Sequence, residues 1–74
     1  MNLKLVPNQT HAQTMQYVQA LQLAANGSAS KDIAAKLFKG TRTIEKWFWQ
    51  LSELNNCKGR THLVAEAIRQ QIIN

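Results

Sequence analysis

Apolar residues recur at helical spacing in four stretches of this chain, separated by polar punctuation. The stretch that organises the rest is 30–54, SKDIAAKLFKGTRTIEKWFWQLSEL. Ile33, Ala34 and Leu37 stand at i, i+1 and i+4, and Phe38, Lys39 and Gly40 then break the period. Ile44, Trp47, Phe48 and Leu51 follow at i, i+3, i+4 and i+7. Spacing near 3.6 places each set on one face of a helix. Ser30 is the expected N-cap of the first helix, with Asp32 in its first turn facing the positive end of the dipole. Gly40 or Thr41 opens the second, which runs over 41–54. Helix, short Gly-containing turn, helix is the order of a helix-turn-helix, whose second helix lies in the DNA major groove.

The flanking stretches complete an all-helical plan. A first helix is expected over 8–26, with Asn8, Thr10 and Thr14 as alternative caps. Its apolar stripe is Met15, Val18, Leu21 and Ala25, widened by Tyr17 and Ala24, with Gln13, Gln16, Gln19 and Gln22 taking most of the remainder. Gly27 suits the left-handed residue that ends such a helix, and Asn55 and Asn56 suit the end of the recognition helix. After the loop 57–59, Arg60 or Thr61 starts a fourth helix that runs nearly to the end. Its apolar face is Leu63, Val64, Ala67, Ile68 and Ile72, and Ile73 extends it past what one small core requires, a hint of a partner helix. Residues 1–7 form an arm, whose Leu3, Leu5 and Val6 can add apolar contacts.

Composition narrows the function. Seventy-four residues make one domain, which buries only about 60% of its unfolded surface and leaves little room for a catalytic cavity. Nine Lys and Arg against four Asp and Glu give a net charge of +5, which suits a polyanionic partner. Five cations (Lys31, Lys36, Lys39, Arg42, Lys46) lie on the two motif helices and their turn against Asp32 and Glu45. Lys58, Arg60 and Arg69 form a second group. The single Cys57 excludes an intrachain disulfide and reads as a small buried hydrophobe, and His11 and His62 have no zinc spacing. No apolar run approaches the roughly 20 residues of a membrane span. No nucleophile–base pair or carboxylate pair points to catalysis. The reading therefore expects a cytoplasmic non-enzyme with no cofactor, no metal, no membrane association and no small-molecule ligand.

The face of helix 41–54 opposite Ile44, Phe48 and Leu51 carries Arg42, Glu45, Lys46 and Trp49, with Gln50 at its margin and Thr41 and Thr43 in the first turn. Arg and Lys pair with guanine edges and Gln with adenine, while hydroxyls, cations and helix N-terminal amides hold phosphate. Any surface helix also shows a polar face to solvent. Trp49 is turned away from the core and reads either as a contact residue or as folded back over the arm. Arg60 reads either as a phosphate contact or as a bond to the ends of neighbouring helices.

Gly27, the run Lys31-Asp32-Ile33-Ala34-Ala35-Lys36-Leu37-Phe38, Thr43-Ile44, Leu51, Arg60 and Leu63-Val64 together resemble the LuxR/FixJ/GerE-type DNA-binding domain of bacterial transcription regulators. The resemblance covers about residues 10–73. It departs at Gln16 and Tyr17, where the family has Arg-Glu, at Lys39 and Gly40 in the turn, at Trp47 in place of a His, and at Leu54-Asn55 in place of Lys-Leu. It implies DNA contacts at the positions held by Arg42, Thr43, Glu45, Lys46 and Trp49, and a homodimer through the last helix. Residues 44–50 also echo a homeodomain third helix, but no basic run follows and a fourth helix is present.

The resulting expectation is an all-α, small four-helix helix-turn-helix domain over 8–74, with a tri-helical core plus a C-terminal dimerisation helix, behind an arm at 1–7. It would act as a sequence-specific transcription regulator on double-stranded DNA. The expected DNA-binding residues are Lys31, Lys39, Thr41, Arg42, Thr43, Glu45, Lys46, Trp49, Gln50, Lys58 and Arg60. The expected dimer interface is Val64, Ala67, Ile68, Gln71 and Ile72. The alternative is a protein-interaction module of the same fold, using Trp49 and the last helix.

Overall fold

A computed structural model describes Leu3, Lys4 and residues 11–74, without the side chains of residues 11 and 12. Leu5, Val6 and the candidate caps Asn8 and Thr10 lie outside the described residues. Four helices follow in order: α1 His11–Ala25, α2 Ser30–Leu37, α3 Thr41–Leu54 and α4 Arg60–Arg69. There is no strand among the described residues. Helix α1 packs on α2 and α4, and α3 packs on the same two, so α1 and α3 flank a shared middle. Leu21, Ile33, Ile44, Leu51 and Leu63 are fully buried there, at least one from each helix. Each such side chain contributes roughly 1.5–3 kcal/mol by leaving water.

The stripe of α1 differs from its expected centre. Tyr17, Ala20 and Leu21 form the buried line, whereas Met15 is 46% exposed. Tyr17 meets the indole of Trp47 edge-on, with ring centroids 4.8 Å apart at 86°. That contact rotates α1 so that Met15, two residues earlier and nearly opposite, faces outward.

All four helices stop in the same way. The chain turns through a left-handed residue, and the next amide reaches back to the carbonyl five residues earlier, which satisfies carbonyls the helix leaves free. The bonds are Ser28 N–H to Leu23 O (3.0 Å), Lys39 N–H to Ala34 O (2.9 Å), Cys57 N–H to Ser52 O (2.8 Å) and Ile72 N–H to Ala67 O (2.9 Å). The left-handed residues are Gly27, Phe38, Asn56 and Gln71, with φ of 95°, 58°, 56° and 61°. At the amino ends, the N-cap of α2 is Ala29 and not Ser30, and the N-cap of α3 is Gly40. Neither makes a side-chain capping bond.

The fourth helix corrects two expectations. It ends at Arg69 rather than near the chain end, because the turn at Gln71 reverses the backbone. Ile73 is thereby buried in the chain's own core instead of extending an outer face. Gln22 secures this return: its Oε1 accepts from Asn74 N–H at 3.0 Å and its Nε2 donates to Asn74 O at 3.1 Å. Leu63 and Ala67 are also fully buried, so α4 belongs to the core rather than being appended to a three-helix one. At the other terminus Leu3 is buried. The Asn55 side chain brackets Lys4, accepting from its N–H at 2.5 Å and donating to its carbonyl at 2.7 Å.

Candidate nucleic-acid interface

Helix α3 buries Ile44, Phe48, Leu51 and Ser52, packs half-buried Trp47 against the core, and turns its opposite face toward solvent. At its amino end Thr41 and Arg42 are exposed and Thr43 is half-buried. One turn further, Glu45 and Lys46 are exposed. A turn beyond that, Trp49 is exposed and Gln50 half-buried. Arg42 and Lys46 are four residues apart and share one line along the helix. Lys39 lies exposed in the turn just before it, and Lys31 and Lys36 are exposed at the two ends of α2.

Among the described residues the ion pairs are those of Glu66 with Arg69 and with His62. Lys31, Lys36, Lys39, Arg42, Lys46 and Lys58 thus stand exposed with no carboxylate in pairing distance. A phosphate backbone would meet these cations without first breaking an internal pair.

Arg60 is already engaged within the fold and is half-buried. Its Nη1 donates to Ser30 Oγ and its Nη2 to Ser28 O, each at 2.7 Å. The guanidinium also lies 4.6 Å from the centroid of the Phe48 ring. Arg60 therefore ties the start of α4 to the start of α2 and to α3, the second of the two roles its sequence position allowed. The expected N-cap hydroxyl of Ser30 is drawn into this same bond.

Lys58, by contrast, presents an exposed side chain, while its backbone N–H donates to His62 Nδ1 at 3.0 Å. The loop it sits in forms, with α3, a groove of about 420 Å³ lined by Trp49, Phe48, Ser52, Glu45, Glu53 and Lys58 among others. Trp49 is 63% exposed, and Trp47 is the indole that the core takes up. Glu53 carries no expected role, although its place four residues after Trp49 and eight after Glu45 puts all three on one side of α3. Phe38, where the apolar period breaks, ends α2 in the left-handed region and is 93% exposed. Cys57 is half-buried; burial raises its thiol above the ordinary value, with the Glu66 charge adding to the shift.

On the expected dimer face, Ala67 is fully buried within the chain itself and is not presented to a partner. Ile68 is 45% exposed, flanked by half-buried Val64 and Ile72, and Gln71 is exposed in the turn. No helix among the described residues is long and apolar enough to cross a membrane. Compared with protein-family models, with curated proteins and with solved structures, the chain matches none.

Proposed function

We propose that this domain is a DNA-binding transcription regulator that reads the major groove with α3. The observation that carries the reading is the line of Arg42 and Lys46 on the solvent side of α3, with Lys39, Thr41 and Thr43 at its amino end and no carboxylate paired to these cations. Cations and helix N-terminal amides hold phosphate, and a cation one turn deeper reaches base edges. The resemblance to LuxR/FixJ/GerE-type domains supports the same assignment. In this reading Arg42 holds the backbone, Lys46 reads a base, and Thr41, Thr43 and Lys31 add phosphate contacts. The protein works in the bacterial cytoplasm, and two copies associate on DNA around Ile68, with Val64 and Ile72 beside it.

The test is duplex selection from a random pool, followed by affinity measurement on the selected and scrambled duplexes across salt concentrations. Log affinity should fall linearly with log salt. Arg42→Ala should weaken binding to both duplexes and lower the slope by about one unit, whereas Lys46→Ala should cost roughly 1–3 kcal/mol on the selected site and relax preference at one base. Absence of duplex binding at low salt would overturn the proposal. Ile68→Glu leaving a two-half-site complex intact in sedimentation would overturn the dimer.

A further inference from the structure

We infer that the groove between α3 and residues 57–60 seats a cationic side chain, an arginine or lysine, presented by a segment of a partner protein. Two observations converge on it. Trp49 lines the groove and keeps most of its indole in water, a state that a large aromatic side chain leaves on finding a partner. Glu45 and Glu53 stand one turn before and one turn after it on the same side of α3, both exposed and in no ion pair among the described residues.

These features specify the occupant's chemistry. An indole face attracts a cation, and two carboxylates bracketing it add to that attraction. The opposite wall carries Lys58 and the tethered Arg60, so the groove is polarised, acidic on α3 and basic on the loop. A peptide segment fits this sorting, its cationic side chain toward Trp49 and its backbone carbonyls toward Lys58. Phosphate does not, because Glu45 and Glu53 would repel it. Trp49, Glu45 and Glu53 share the solvent face of α3 with Arg42 and Lys46, so a segment seated in the groove would compete with a duplex for that face; the titration below is made without DNA and tests the groove by itself.

The experiment is a nitrogen-15 NMR titration of the whole 74-residue chain with a capped Gly-Arg-Gly peptide and with its citrulline counterpart, which keeps the shape and removes the charge. The arginine peptide should shift the Trp49 indole N–H and the amides of Glu45, Ser52, Glu53 and Gly59. The indole N–H of Trp47, which packs on Tyr17, should stay in place. The double variant Glu45→Gln/Glu53→Gln should bind about tenfold more weakly, while its spectrum remains that of the folded chain. Equal shifts with the citrulline peptide would overturn the charge argument. No shift at millimolar peptide, or shifts spread over the basic face, would overturn the site. Equal affinity for free argininamide would show that a small molecule suffices and would overturn the protein-segment assignment.

Discussion

Replacing Arg60 tests whether it fastens the fold or faces a phosphate. The side chain makes two hydrogen bonds from a charged donor, both at 2.7 Å, and covers the Phe48 ring. Bonds to charged groups are worth roughly 1.5–3 kcal/mol each, and a partly buried cation–π contact adds about 1 kcal/mol. The three share one guanidinium and do not add, so Arg60→Ala should cost about 2–4 kcal/mol of folding free energy. For a domain of this size each kcal/mol moves the melting temperature by about 4–8 °C, so the fall should be at least about 8 °C. Arg60→Lys should recover less than half of the loss, because an ammonium cannot span Ser28 O and Ser30 Oγ as the planar fork does. Circular dichroism melts and urea midpoints measure both variants. A double-mutant cycle with Ser30→Ala isolates one bond and should return a coupling of about 1 kcal/mol. The reasoning fails if Arg60→Ala melts like the parent. If that variant also lowered the salt slope of DNA binding by about one unit, Arg60 would be a phosphate contact after all.

Three further outcomes are expected. Phe38→Gly should raise stability by up to about 1 kcal/mol, because glycine adopts the left-handed backbone without the Cβ penalty and an exposed ring has almost no packing to lose; a lower urea midpoint would show that the ring is packed. Asn55→Ala should cost about 1–3 kcal/mol by freeing Lys4, and should expose the amide of Lys4 to fast hydrogen exchange; unchanged exchange would refute the clamp. Cys57 reacts through its thiolate, and burial with the Glu66 charge raises its pKa, so iodoacetamide should label it more slowly than a free thiol at the same alkaline pH. Folding favours the protonated thiol, so the stability it lends is complete below the ordinary value of 9.0 and fades as pH rises through the folded value. A labelling rate equal to that of the free thiol would contradict this.

Local spacing was enough to locate most of what matters here. The period of Ile33, Ala34 and Leu37, then of Ile44, Phe48 and Leu51, specified two helices and which faces are buried, and with them the outward placement of Arg42, Lys46 and Trp49. Gly27 marked its turn because it is the residue with free access to positive φ. These features depend on residues within a few positions of one another, so the sequence alone determines them. What tertiary structure decided involves partners far apart in the chain. Arg60 turns inward because α2 brings Ser28 and Ser30, some thirty residues earlier, within its reach. Asn55 takes hold of Lys4 across fifty-one positions, and Gln22 holds Asn74 across fifty-two. Met15 lost its place in the stripe to Tyr17 because Trp47 supplies a ring surface that only folding puts there. Phe38 and Gln71 turn left-handed although neither residue type favours it, and the turn at Gln71 lets Ile73 enter the core. A backbone penalty of about 1–2 kcal/mol at Gln71 is offset when a side chain such as Ile73 gains roughly 1.5–3 kcal/mol by leaving water, and that gain exists only once the other helices have formed the cavity it fills.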